Sequence, residues 1–470
     1  MDDARIVVIG AGPAGLAAAD ALSQRRLPPL ILEQDRQVGG LSKTVSYRGF
    51  YFDIGGHRFF TKNPEVMALW QQTLGDAFLV RSRLSRIYYR GKFFHYPLRA
   101  ANALAGLGAC DSLRVLLSYA YSRLFPRKPE ISFEDWVFNR FGRVLFNIFF
   151  KTYTEKVWGI PCREISADWA AQRIRNLSLG RAVLNSLGLG RDGKVASLIE
   201  QFHYPRRGPG QMYEAMAANI AAQGGEFRHG RQVVEVRHAH GRVIAVKTWG
   251  EGGEMLAAAD QCFSSMPITE LAAKMQPAPP DAVLDAARAL RYRSIIAVNL
   301  LLRTRAPLPD NWIYLHDPSV RAGRLQLYQN WSPFMIPDNG ASSITFEYFS
   351  FEGDGLWDMA DPGLIRLARE DLRRLQLPGA PQVYDGMVVR YPKAYPIYAG
   401  DYQRHLAALR GWLGQFPNLF CIGRYGQFRY NNMDHSILTG RLAVRRMSGE
   451  AVDPWSVNAD AEYLEENRAG

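Results

Sequence analysis

Cysteine is scarce in this chain. Its 470 residues carry four, Cys110, Cys162, Cys262 and Cys421. They lie far apart, with no CxxC pair and no cysteine–histidine cluster, so neither a zinc site, nor any other metal site, nor a disulfide framework is expected. Such usage fits a cytoplasmic protein in a reducing compartment. Long apolar runs are also missing, which excludes a transmembrane segment. The nearest candidate, Ile6 to Leu22, follows Asp2 and Asp3 rather than a basic region, so it is not read as a secretory signal. Internal repeats, low-complexity tracts and basic blocks are absent too, and with them the sequence signs of a solenoid or a nucleic-acid binder. Acids are outnumbered by bases, giving a formal net charge of +12. The excess is mostly arginine, which suits diphosphate ligands and permits weak peripheral contact with an anionic membrane.

What is present suits a globular protein of two or three units: 47% apolar and 22% charged residues, enough for a sizeable core. Arg5 to Ile9 reads as a buried strand, Leu16 to Ser23 as a helix, and Leu30 to Leu32 as a second strand ending at Glu33. From Asn63 to His203 the pattern is mostly helical, with Glu65 to Leu74, Asp111 to Leu124 and Phe133 to Thr154 as the clearest cases. The glycine-rich stretch Leu187 to Gly193 interrupts it. Gln211 to Gln223 reads as helix. Glu226 to Val236, Arg242 to Trp249 and Gln261 to Ser264 read as strands. Ser294 to Arg303, Trp312 to Leu315, Leu325 to Trp331 and Ser343 to Phe349, rich in β-branched and aromatic residues, predict an antiparallel sheet. Phe420 to Gly423 is a further strand and Ser436 to Met447 a closing helix.

Gly10, Gly12 and Gly15 form G-x-G-x-x-G between the first strand and helix, with Ala14 inside the turn. Gly10 permits the tight turn, Gly12 lets backbone approach a pyrophosphate, and Gly15 lets helix and strand pack closely. The helix N-terminus offers N–H groups to the anion. Glu33, 23 residues after Gly10, suits a ribose hydroxyl. NAD and FAD both use such a turn. The paired glycines Gly39-Gly40, and Gly55-Gly56 before His57, favour the bulkier FAD.

These segments and those that follow resemble the UDP-galactopyranose mutases, within the amine-oxidase-like FAD superfamily. The superfamily resemblance rests on the first turn, Gly39-Gly40, Tyr204-Pro205 with Gly208-Pro209-Gly210, Val233, and Cys421-Ile422-Gly423-Arg424. The mutase resemblance rests on Gly55 to Phe60, on Tyr153 to Gly159 followed by Ala167 to Ile174, on Arg390 to Tyr398, and on Gly423 to Ser436. One departure is Asn432, where bacterial mutases typically carry aspartate; Asn431 to Ser436 is similar to the eukaryotic form.

The resemblance implies an α/β fold: a Rossmann-like FAD-binding domain of the GR2 type, an inserted helical domain and an antiparallel-sheet substrate domain. The expected division is 1–80, 204–275 and 413–470 for the FAD-binding domain, 81–203 for the helical and flap domain, and 276–412 for the substrate sheet. It also implies that FAD, active when reduced and supplied by an external reductant such as NAD(P)H, uses N5 as the nucleophile on the anomeric carbon of a nucleotide sugar. Pyranose and furanose forms would then interconvert and feed cell-surface polysaccharide synthesis. By resemblance, Arg173 and Arg303 (or Arg305) clamp the diphosphate, and Tyr395 and Tyr430 donate hydrogen bonds to it. His57 lies against the flavin; Tyr153, Trp158 and Asn432 face substrate. Gly56, Val233, Gly423, Arg424, Asn432, Met433, Asp434 and Ser436 line the cofactor, and Arg173 to Gly193 is expected to close as a flap. The competing expectations are an oxidase or desaturase acting on an amine, an isoprenoid or a porphyrinogen through an apolar channel, and a flavin-binding protein without catalysis.

Overall fold

The computed structural model describes residues 5–98, 100–167, 200–337, 340–379 and 381–458. A five-stranded parallel sheet forms the cofactor half, in the order Leu419–Cys421, Gln261–Ser264, Ile6–Ile9, Leu30–Leu32, Glu226–Arg228. Its strands come from three separated parts of the chain. All four residues of the central Ile6–Ile9 strand are buried, as a strand covered on both faces requires. The helix Pro13–Ser23 starts three residues earlier than expected. Gly10 turns the chain at φ +93°, and Pro13 sits at the helix start, where its missing N–H costs nothing. That helix packs tightly on the closing helix Met433–Met447, because both present small residues: a Cβ at Gly440 would lie 2.3 Å from the Ala14 carbonyl.

The expected strand Glu226 to Val236 is two strands. Gly230, at φ +65°, breaks it into Glu226–Arg228 and Arg231–Ala239, and the second joins a separate four-stranded sheet.

A seven-stranded sheet forms the other half. Its order is Val383–Pro396, Tyr292–Leu302, Ser342–Ser350, Arg324–Gln326, Trp312–Leu315, Ser85–Tyr89, Lys92–His95. Every pairing is antiparallel except that of Trp312–Leu315 with Ser85–Tyr89. The region expected to be mostly helical therefore contributes strands. Phe78–Ser82 pairs with Gln201–Pro205, and Ser85–Tyr89 with Lys92–His95. The aromatic run Ile87, Tyr88, Tyr89 followed by a turn at Gly91 is hairpin chemistry that outweighed the surrounding helical pattern.

Helices Ala109–Leu124 and Phe133–Leu145 cross closely. Gly142, at φ +77°, interrupts the second, and a Cβ there would lie 2.8 Å from the Ser118 backbone. The expected single helix Phe133 to Thr154 continues as a π-helical turn, Phe146–Lys151, and a short helix, Thr152–Trp158. Leu325 to Trp331, expected as strand, leaves the sheet after Gln326 and forms the helix Tyr328–Trp331. Tertiary bonds decide this. Tyr328 Oη donates to the carbonyl of Asp53 or Gly55, 3.0 and 3.1 Å away, and Trp331 Nε1 donates to the Asn311 carbonyl.

Candidate functional site

The glycine turn has one open side. A Cβ at Gly10 would meet Ser265 Oγ at 2.3 Å, and one at Gly15 would lie 1.8 Å from the Gly10 carbonyl. At Gly12 the nearest atom is Gly40 Cα, 3.8 Å away. A side chain at Gly12 would thus fill the groove in front of the helix, where the N–H groups of its first turn have no partner within the helix. Glu33 is buried and accepts from Ala11 N–H at 2.6 Å and Asp35 N–H at 2.8 Å. Burial raises its pKa against those bonds. Each oxygen keeps acceptor capacity for a ribose hydroxyl. Gly39 N–H donates to the Ala11 carbonyl, which sets Gly40 over Gly12. Val233 is buried among Val7, Ile9 and Leu32.

The closing helix brings its N-terminus to the same edge. Gly423, at φ +75°, lets the chain pass Ala14, whose Cβ would sit 2.7 Å from a Cβ at Gly423, and Thr439 Oγ1 accepts from its N–H. Asn432, itself exposed, caps the helix in a reciprocal box with His435. Met433, Asp434 and Ser436 follow it, buried, and Asp434 Oδ1 has no hydrogen-bond partner.

His57 ends a braced turn. Asp53 is buried and accepts from Tyr204 Oη at 2.5 Å and Thr44 Oγ1 at 2.8 Å; burial pushes its pKa up to about 7. The Gly208 to Gly210 segment supports the pair, since Gly210 N–H donates to Thr44 Oγ1. The His57 ring is half-buried, its Nδ1 buried and without a partner. Burial, then the cations Arg424 and Arg324, push its pKa down to about 3, so the ring is neutral at ordinary pH.

Facing this turn is a cluster of arginines and phenols. Arg324 forms an ion pair with buried Glu347, Nε to Oε2 at 2.7 Å, and its Nη2 donates to Tyr395 Oη at 2.8 Å. Burial opposes the Arg324 charge, and Glu347 outweighs it. Gln326, two residues along the same strand, binds the other Glu347 oxygen and lies against Gly56. Tyr395 stacks on Tyr430 at 5.6 Å, and burial pushes its pKa up to about 12. Because its oxygen accepts from Arg324, its proton is free to be donated. Arg424 lies over both rings, 4.9 Å from Tyr395 and 4.1 Å from Tyr430. It donates to the carbonyls of Ala394 and Asn431, and its buried Nη2 has no partner. Beyond it, Arg83 lies over Trp312 and Tyr96, with all three guanidinium nitrogens buried and without hydrogen-bond partners among the described residues. Arg58 lies over Trp312 from its own side. Arg83, Arg58 and Arg324 all bear on Tyr314, whose pKa burial pushes up to about 12.

Most of the expected residues therefore converge. Trp158 is buried, edge-on to Tyr395; Tyr153 stacks on His316 and meets Tyr314 edge-on. Arg303 does not converge. It is exposed at the far end of Tyr292–Leu302, over Tyr384, while Tyr395 pairs with Arg293 at the near end, roughly 30 Å of extended strand away. Arg305 is exposed beside it. Arg324 occupies the position by Tyr395 that Arg303 was expected to fill. Arg173 and the expected flap through Gly193 lie outside the described residues. Arg324, Glu347, Arg83, Tyr96 and Tyr314 were not expected. The available signal was Glu347 inside the apolar run Ser343 to Phe349, and Arg324 and Gln326 two apart on one strand face.

The residues fit FAD. The open side of Gly12 suits a pyrophosphate, and the partnerless Asp434 Oδ1 and His57 Nδ1 are polar atoms that a bound flavin nucleotide would satisfy. Among the described residues no group of three or more His, Cys, Asp or Glu could hold a metal ion, and no helix is long and apolar enough to cross a membrane.

Comparison with known proteins agrees. The chain is similar in fold to reduced UDP-galactopyranose mutase, with a TM-score of 0.85 and 23% identity over 97% of this chain and 98% of that one. It is also similar to a putative protoporphyrinogen oxidase from Exiguobacterium sp. 255-15, with a TM-score of 0.72 and 16% identity over 95% and 99% of the two chains. Curated relatives match in short segments. An inactive all-trans-retinol 13,14-reductase of Danio rerio is 48% identical over 54 residues, 12% of this chain and 9% of that protein. Protoporphyrinogen oxidase 2 of Arabidopsis thaliana is 40% identical over 65 residues, 14% and 13%. The chain thus spans only about a tenth of these relatives' length. Residues 13–448 match the family described as flavin containing amine oxidoreductase, and the chain belongs to that family.

Proposed function

We propose that this chain is an FAD-dependent mutase that interconverts pyranose and furanose forms of a nucleotide sugar, with UDP-galactose the first substrate to test. The observation that carries the reading is the group of buried guanidinium nitrogens near the His57 turn and the Trp312 ring that have no hydrogen-bond partner among the described residues. Glu347 neutralises Arg324, but Arg424 Nη2 and the Arg83 guanidinium have no hydrogen-bond partner among the described residues. Buried guanidinium groups in that state call for an anion. A nucleotide diphosphate supplies one, and an amine or an isoprenoid hydrocarbon does not.

Reduced FAD, when bound, supplies the nucleophile in such chemistry. The chain supplies the rest. Arg324 and Arg424 stabilise charge on the departing diphosphate, and Tyr395 donates its proton as a hydrogen bond. The ring cluster of Trp158, Tyr395 and Tyr430 excludes water from that contact. His57 stays neutral and offers Nδ1 to the cofactor. Arg173 to Gly193 is the proposed flap, NAD(P)H the proposed source of electrons, and cell-surface polysaccharide the proposed destination of the product. On this reading residues 1–80, 204–275 and 413–470 hold FAD, while 81–203 and 276–412 face substrate.

The short match to protoporphyrinogen oxidase 2 supports the second reading, a net oxidase or desaturase. Mutagenesis tests the diphosphate site. Arg324→Lys keeps the charge but loses the fork, and should cut nucleotide-sugar turnover by roughly 100-fold or more. A near-native rate would remove Arg324 from the diphosphate site.

A further inference from the structure

The helix Ala109–Leu124 has a packed inner side and an apolar outer side. Its inner side carries Val115, Ser118, Tyr119 and Ser122, packed on the helix Phe133–Leu145. Its outer side carries Leu113, Leu116, Leu117, Tyr121 and Leu124, all exposed, with Leu117 at 63% and Leu124 at 74%. The spacing is that of one helix face, about 17 Å long. Phe125 and Ile131, also exposed, extend it into the following loop. A row of this size is more than scattered surface apolar residues.

The charges beside the row are one-sided. Arg114, Arg123 and Lys128 are exposed on this helix and the loop after it, and Arg123 and Lys128 make no ion pair among the described residues. The nearby acids are committed: Asp111 to Arg114 and Arg90, Glu130 to Arg140, and Glu134 and Asp135 to Arg127. We propose that this face seats the protein on an anionic bilayer surface, with the leucine row at the headgroup boundary and Arg123 and Lys128 on lipid phosphates or carboxylates. Apolar side chains flanked by free cations are what a peripheral membrane helix needs. A second copy is the poorer occupant, because a two-fold contact on this face sets its cations against themselves with no uncommitted acid to meet them.

The test is flotation of the full-length, FAD-loaded protein with phosphatidylcholine vesicles, and with vesicles that also contain phosphatidylglycerol, at low and high salt. Binding is expected only to the anionic vesicles and is lost at high salt. The double variant Leu117→Glu/Leu124→Glu changes exposed residues alone. It should keep the wild-type melting temperature and flavin content while its partition falls by ~10-fold or more. Three results would overturn the proposal: no binding of wild type to anionic vesicles, equal binding by the double variant, or light scattering that shows the double variant dissolving an oligomer.

Discussion

Arg324 and Glu347 are a buried pair whose members depend on each other. Glu347 is fully buried and accepts from both Nε and Nη2 of Arg324 through Oε2, so removing the arginine strands a charge. Arg324→Ala should therefore destabilise the fold by ~3–5 kcal/mol, measured by denaturant titration. Adding Glu347→Gln should recover a good part of that, because the stranded charge is then gone. Equal losses in the single and double variants would contradict this account. Asp53 gives a pH test. Its folded pKa of about 7 lies above the unfolded value, so its contribution is fully present below about pH 4 and is lost as pH rises through 7. Asp53→Asn, which does not titrate, should gain on wild type by roughly 3–4 kcal/mol between pH 4 and 8. A pH-independent difference would show that Asp53 is not held protonated. His57, with a pKa near 3, should leave no limb near pH 6.5 in any activity profile, and His57→Gln should not move the profile's shape. Much of this residue set was legible in the sequence, because Gly55 to His57, Tyr395 and Gly423 to Ser436 sit in continuous segments. Arg324 was not. It stands on a three-residue strand, and its meaning comes from Glu347, 23 residues on and opposite it in the sheet.

The two helices that meet at the cofactor edge are held by contacts too close for side chains. Gly15→Ala places a Cβ against the Gly10 carbonyl, and Gly440→Ala places one against the Ala14 carbonyl. Both contacts are with backbone, which cannot swing away. Each variant should purify with little FAD and show a clear fall in melting temperature; full flavin content in either would mean that the close packing does not shape the cofactor edge. The first unit of strand, helix and strand was readable because its signals are local: glycine φ freedom, Pro13 and a four-residue apolar run. Two of the elements that were misread depend on distant partners. Ser85–Tyr89 becomes strand by pairing with Trp312–Leu315, more than two hundred residues away, and Tyr328–Trp331 becomes helix through its bonds to Asp53, Gly55 and Asn311. The long strand Val383–Pro396 carries Tyr395 into the site, and only its last residues stood out in the sequence.

At the scale of the whole molecule, a parallel sheet presents two helix N-termini, and a mixed sheet brings arginines and tyrosines to the His57 turn. That cluster of cations and phenols is the basis for proposing that the enzyme is a mutase. The central claim is tested most directly by incubating the anaerobically reduced holoenzyme with UDP-galactopyranose while the flavin absorbance is followed and the nucleotide sugars are separated. The account predicts conversion to the furanose form over many turnovers with the flavin still reduced at the end. No furanose product from UDP-galactose or from a panel of UDP-, dTDP- and GDP-sugars, together with rapid reduction of the oxidised enzyme by an amine, an isoprenoid or a porphyrinogen, would contradict it.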